Sequence, residues 1–263
     1  MIISFSITFE LKSKRQSLFI QIFTFIKKNM LFAYISFVNN NSQYIDLMKT
    51  TILSVKKFSK YPLILYCINV PPNTFINDDQ IIIKHIDVIL PNIYYYKPYI
   101  IKDSIENGLK NGYYIESDDV LTPFADSFLT NKVKDLTTIP ISPIHPDDVT
   151  IPNHDMMVVD SMNKTQHYIH GHVLFSENNI EFIKEWLNYC LKFNHFKNAD
   201  ETVLNLLYWK YKCTNHYLHI IDPWYLNFYS YPEIRDNVCS FHGCKDPNEQ
   251  FLLYTNMVEY YSI

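Results

Sequence analysis

The residue types that can do chemistry are densest in one short stretch, Glu116-Ser117-Asp118-Asp119, directly after the apolar run Tyr113-Tyr114-Ile115. Carboxylates spaced this closely in a turn can converge on a hard divalent cation that keeps open positions for phosphate oxygens. The same residue types also make ordinary turns, so the metal reading depends on its surroundings. His170 and His172 are two apart, and on a strand they face the same side and reach one ligand. Gly171 between them is one of only four glycines, which points to a backbone closely approached by substrate. A pair of ordinary strand histidines is the plainer alternative. Cys213-x-x-His216 and Cys239-x-x-His242, with Cys244 nearby, share a spacing found in structural zinc sites, where His242 would serve that zinc. Asp200 precedes a helical pattern and can cap it, which leaves Glu201 free to point into a site.

Elements must hold such residues in place. Leu31 to Val38 reads as a buried strand that ends in the polar run Asn39-Asn40-Asn41-Ser42, and a helix follows from about Ser42 to Lys57. Tyr61 to Ile68 and Gln80 to His85 read as two further strands, closed by Asn, Asp and Pro residues. Pro98 suits the first turn of a helix reaching about Asn107, after which Gly108 and Asn111-Gly112 break the pattern before a strand over 113–116. Apolar strands alternating with helices argue an α/β fold with a mainly parallel central sheet flanked by helices. The acidic turn then stands at the carboxyl end of a strand, the edge where ligands bind in such sheets. A short helix after Pro123, a strand over 137–141 and a long Pro-, His- and Asp-rich loop over 142–160 follow. A strand over 166–175 and helices over 178–193 and from Asp200 to about Tyr211 complete the pattern, and the stretch from His219 to Ile263 shows little periodicity.

The 263 residues are 48% hydrophobic and 16% aromatic, enough to bury a substantial core and to exclude a disordered or fibrous chain. A net charge of -4 gives no basic field that would draw nucleic acid or an anionic membrane. A phosphate-bearing ligand must be met by local chemistry. Five scattered cysteines point to a reducing, cytoplasmic setting rather than a disulfide scaffold. Leu18 to Ile26 is too short to cross a bilayer and lacks a cleavage site, so no transmembrane segment is expected. Met30 stands before the first strand, which suggests a dispensable extension over residues 1–29 and one domain over residues 30–263.

With these segments in order, the sequence resembles the GT-A glycosyltransferases, in particular the glycogenin-like family 8, whose metal motif D-x-D ends a buried strand. The resemblance spans much of Leu31 to Lys245 and centres on Tyr113-Tyr-Ile-Glu-Ser-Asp-Asp-Val-Leu-Thr-Pro123. It implies a Rossmann-like nucleotide-diphospho-sugar transferase fold and metal ligands among Glu116, Asp118, Asp119 and His242. The first acid is Glu where the family has Asp, so the metal pair is Glu116 with Asp118 or Asp118 with Asp119. Asn39, Asn40 and Tyr44 stand in the first βα loop, where the family holds the base. Lys97 resembles a basic contact to the nucleotide, and His170-Gly171-His172 a strand at the donor-sugar and acceptor side. Asp200 and Glu201 resemble the acidic helix start near the reacting carbon. In Ser240-Phe-His-Gly-Cys-Lys245 the histidine matches a metal ligand and Lys245 a diphosphate contact. The resemblance implies Mn2+ or Mg2+, a UDP-sugar donor and a glycan or glycoprotein acceptor. Two other readings stand beside it. One is a metal-dependent hydrolase using His170, His172, Asp118 and the Asp147-Asp148 loop; the other is a degenerate GT-A-like carbohydrate-binding or scaffold protein.

Overall fold

The computed structural model describes residues 30–132, 137–138, 172–193, 199–211, 219–220, 226–228 and 238–261. The extension expected over residues 1–29, the loop over 142–160, His170, Gly171, Cys213 and His216 lie outside the described residues.

The chain opens with β1 (Phe32–Asn39), α1 (Ser42–Phe58), β2 (Leu63–Ile68) and β3 (Ile81–Ile86). A short 3-10 turn (Ile93–Tyr95) leads into α2 (Tyr96–Glu106) and β4 (Asn111–Tyr114), followed by β5 (Val120–Leu121) and α3 (Ala125–Lys132). Next come β6 (Thr137–Thr138), β7 (Val173–Ser176), α4 (Ile180–Lys192) and α5 (Ala199–Tyr211). The last elements are β8 (His219–Ile220), β9 (Leu226–Phe228), β10 (Ser240–His242) and α6 (Pro247–Tyr261). The main sheet runs β3-β2-β1-β4-β7-β6-β8 and a smaller one β5-β10-β9. Strands β1 to β4 are mutually parallel and β7 is antiparallel to both β4 and β6. The architecture is therefore α/β, with a mainly parallel central sheet.

Every residue of β2 is buried, as a strand covered on both faces requires. Along β1, Ala33 and Ile35 pack on one side with Ile100, Ile101 and Trp186, while Tyr34 and Val38 pack on the other with Met48, Val55 and Leu129. The period-two alternation thus sends α2, α4 and α5 to one face and α1 and α3 to the other. Helix α1 starts where the polar run predicts, because the Asn41 side chain accepts a hydrogen bond from the Gln43 amide at 3.0 Å.

Two expectations change. Asn111-Gly112 does not break the pattern but opens β4, since a Cβ at position 112 would stand 2.3 Å from the buried Phe175 ring. The glycine answers a close approach of β7, not a turn. The carboxyl-terminal stretch, read as aperiodic, contains the 15-residue helix α6. Its buried side chains are Gln250, Leu253 and Met257, while Phe251, Leu252 and Tyr260 are exposed, so hydropathy does not mark its inner face. Among the described residues no helix is long and apolar enough to cross a membrane.

Candidate functional site

Parallel pairing of β1 and β4, with Tyr34 opposite Tyr113 and Ile35 opposite Tyr114, brings the carboxyl ends of both strands to one edge. The Ile115 amide extends the ladder to the Ile35 carbonyl at 2.9 Å, and the acidic turn begins one residue later. There Asp119 folds back on its own turn: its Oδ2 accepts the Glu116 amide at 2.6 Å, while its amide bonds the Glu116 carbonyl at 3.2 Å. Asp119 is fully buried and points inward, whereas Glu116 and Asp118 line a cavity of about 180 Å³.

Two strand pairings deliver histidines to this turn. Strand β7 runs antiparallel to β4 with Leu174 opposite Tyr113, so the chain just before it passes beside Ile115. His172 accordingly sets Nε2 3.0 Å from Asp119 Oδ2. Strand β10 runs antiparallel to β5 with Phe241 opposite Val120, and continuing that register places His242 beside Asp119. His242 Nδ1 lies 3.4 Å from Asp118 Oδ1 and 3.5 Å from Asp119 Oδ1, and its ring meets that of His172 edge-on at 4.5 Å. Directly after it, Gly243 takes φ 102°, a left-handed turn that a side chain would strain. The chain then returns Lys245 to the cavity, where its ammonium ion-pairs with Asp118.

The electrostatics follow from these contacts. Burial opposes ionisation of Asp119, yet His172 and then His242 hold its carboxyl well below the usual range. Burial likewise opposes Glu116, but Lys97 and then His242 bring it down to about 2. His242, against the cost of burial, is pushed up to about 9 by Asp118 and Asp119. These shifts describe carboxylates and a protonated imidazole held together out of water.

Lys97 forms the floor of the cavity and is 3% exposed. Its ammonium lies 2.7 Å from Asp200 Oδ2, 3.1 Å from Glu116 Oε1 and 4.0 Å from Glu201 Oε1, and 5.1 Å from the Tyr114 ring centroid. A fully buried ammonium requires such company, and Asp200 and Glu116 outweigh burial to raise its pKa. One cation facing three carboxylates leaves an excess of negative charge; burial, with Glu201 and Glu116, pushes Asp200 up to about 6 against the pull of Lys97. Asp200 is the second residue of α5 and not the residue ahead of it, so its carboxylate turns to Lys97 instead of serving as the expected cap. Its carbonyl accepts the buried Trp186 Nε1 at 2.8 Å, which fixes α5 against α4.

Asn39, Tyr44, Lys97, Glu116, Asp118 and Lys245 thus line a single cavity. His172, His242 and Asp119 do not line it but pack against the acidic turn beside it, and Asp200 and Glu201 join it through Lys97. Asn40 is exposed and does not line it. Tyr44, in place of a packed core position, is 38% exposed at the cavity. Tyr94 also lines the cavity and escaped sequence reasoning, since nothing in Tyr94-Tyr95-Tyr96 separates the exposed ring from its two buried neighbours. Cys239 faces the Tyr113 hydroxyl at 3.6 Å and is absent from the groups of described residues close enough to share an ion. The described part of the zinc pattern therefore diverges.

Two three-residue groups place donor atoms within 4.8 Å of one another, Glu116 with Asp118 and His242, and Asp119 with His172 and His242. The first group, two carboxylates with one imidazole, fits a hard or borderline divalent cation. His172 Nδ1 is buried and makes no hydrogen bond among the described residues, and Asp119 Oδ1 has only the 3.5 Å approach of His242 Nδ1, so polar capacity is left at this centre.

The architecture is a glycosyltransferase-like α/β fold. It is similar to the solved apo structure of WbbM, a bifunctional glycosyltransferase, with a TM-score of 0.61 at 11% sequence identity over 88% of this chain. The matched region is 49% of that chain, so this chain spans about half the length of that structure. No protein-family model and no curated protein matches the sequence.

Proposed function

We propose that the protein is a metal-dependent glycosyltransferase that moves a sugar from a nucleoside-diphosphate sugar, a UDP-sugar, to an acceptor hydroxyl of a glycan or glycoprotein. The observation that carries this reading is the meeting of Glu116, Asp118 and Lys245 at one cavity, with His242 close enough to both carboxylates to share an ion with them, in a fold similar to that of a glycosyltransferase. Glu116, Asp118 and His242 would hold Mn2+ or Mg2+, His242 giving up its proton to do so, with Asp119 behind them and held by His172. When bound, that cation neutralises charge on the departing diphosphate.

The chain's own residues supply the rest. Tyr44 and Tyr94 offer ring faces to a base beside the polar side chain of Asn39, whose buried Oδ1 makes no hydrogen bond among the described residues. Lys245, 61% exposed and therefore free to swing, transfers its ammonium from Asp118 to the diphosphate. Lys97, pinned by Asp200 and Glu116, acts less as a mobile phosphate contact than as a fixed charge beneath the donor. Glu201, 21% exposed and more distant from Lys97, is the carboxylate with access to an acceptor hydroxyl, while Asp200 orients Lys97.

Calorimetry of the purified protein against a panel of nucleotide sugars, with and without Mn2+, tests the reading. Manganese-dependent binding of one UDP-sugar, abolished in Asp118→Asn and His242→Ala, is expected, together with sugar transfer to an acceptor. Binding without turnover under all acceptors would favour the degenerate, carbohydrate-binding alternative. No nucleotide-sugar binding by folded protein would sink the transferase reading.

A further inference from the structure

The geometry points to Thr51 and Gln250 as positioning residues of the acidic turn, a pair that holds its two halves of the site in register although neither side chain lines the cavity. This inference rests on the metal reading of Glu116, Asp118 and His242.

Helix α1 is expected to present apolar side chains to the sheet, yet Thr51 and Ser54 on its inner face are fully buried. Thr51 faces the acidic turn and Ser54 the strand β5 that follows it. The Thr51 hydroxyl lies 2.7 Å from the Ser117 carbonyl and 2.7 Å from the Asp119 carbonyl. Ser54 Oγ accepts the Leu121 amide at 3.0 Å and donates to the Thr51 carbonyl at 2.7 Å. A single hydroxyl proton serves one carbonyl at a time. The second donor comes from the other end of the chain: Gln250 Nε2, on α6, stands 3.3 Å from Thr51 Oγ1, 3.4 Å from the Ser117 carbonyl and 3.5 Å from the Asp119 carbonyl. The amide orientation is fixed, because the flipped form would set its oxygen against two carbonyl oxygens.

The two carbonyls flank Asp118. Holding both of them inward leaves the Asp118 carboxylate between Lys245, which meets it at the cavity, and His242, 3.4 Å from its Oδ1. Gln250 is only a few residues past Lys245, and α1 also grips that segment directly through Gln43 Nε2, which donates to the Lys245 carbonyl at 2.6 Å. Helix α1 and the start of α6 therefore tie the turn after β4 to the segment after β10, the two pieces that must agree for Asp118 and His242 to share an ion. Loss of one donor leaves a buried carbonyl unsatisfied and lets the turn rotate. Outer-shell partners of this kind change metal affinity roughly 10- to 100-fold when removed.

The test is Mn2+ titration of the full-length protein by calorimetry, with thermal unfolding run in parallel, on wild type, Thr51→Val, Thr51→Ser and Gln250→Met. Thr51→Val keeps the shape and removes the hydroxyl; Thr51→Ser restores it. We expect Mn2+ to bind Thr51→Val and Gln250→Met roughly tenfold more weakly than wild type, with Thr51→Ser close to wild type. If the folded variants bind Mn2+ as wild type does, with only the unfolding temperature lowered, Thr51 and Gln250 are ordinary structural residues and the inference fails while the metal reading stands. If wild type itself binds no Mn2+, both fail. Gln250→Met decides the matter should Thr51→Val not fold.

Discussion

Lys245 is ion-paired with Asp118, a residue 127 positions away in sequence, and so sets an internal cation on the carboxylate that faces the cavity. The lysine side chain is mostly exposed, so the pair contributes about 1 kcal/mol or less. Lys245→Gln is expected to tighten Mn2+ binding to the free protein up to severalfold, because the ion no longer competes with an ammonium. The same variant should bind UDP in the presence of Mn2+ about tenfold more weakly, having lost a charge-assisted phosphate contact. Calorimetry with each ligand in turn checks both; equal losses for Mn2+ and UDP would contradict the competition.

The pairing of Lys97 with Asp200 and Glu116 is of a different kind, because Lys97 and Asp200 are shielded from water and Glu116 is only partly open to it. Lys97→Ala strands buried carboxylates, at a cost of about 3–5 kcal/mol. Urea unfolding at neutral pH should show that loss, and Lys97→Ala combined with Asp200→Asn should recover part of it. A loss below about 1 kcal/mol would mean that the cluster is as well solvated as a surface pair.

Asp200 makes stability depend on pH in a direction opposite to that of most carboxylates. Its pKa in the folded protein, about 6, lies above the ordinary 3.8. A raised carboxyl favours folding when protonated, so its contribution is complete below about pH 4 and is lost as pH rises through 6. Relative to Asp200→Asn, the wild type should lose about 2–3 kcal/mol between pH 4 and pH 7, with no further change above. Chemical denaturation of both proteins across this range provides the comparison, and parallel curves would show that burial does not control this group.

Gly112 is set by packing against a single ring. Gly112→Ala drives a methyl into Phe175, itself fully buried, and is expected to cost at least 1–3 kcal/mol as an overpacked core. Phe175→Leu alone loses packing, but in the Gly112→Ala background it should relieve the clash, so the two substitutions would be less harmful together than their sum. Additive losses in a thermal unfolding cycle would place the origin of the glycine elsewhere.

The alternation of apolar strands and helices from β1 to β4 could be read along the chain because its central strands β1 and β2 are buried on both faces and announce themselves by continuous hydropathy. The cap at Asn41 and the placement of the acidic turn at a strand's carboxyl end follow from local residue types. Hydropathy also hid α6, whose exposed Phe251 and Leu252 obscure the face carrying Gln250, Leu253 and Met257.

Sequence alone determined the inventory of the candidate site: a carboxylate-rich turn, a histidine and lysine downstream, and an acidic helix start. Only tertiary structure decided the roles within it. Asp118 and Asp119 are adjacent and chemically identical, and their separation into a cavity-facing and an inward carboxylate comes from the β7 and β10 pairings that bring His172 and His242 to Asp119. The burial of Lys97 is likewise settled by α5 and β4 closing on it from distant parts of the chain. Long-range register and burial set where a charged group points and what it meets, and neither is encoded in the few residues on either side of it.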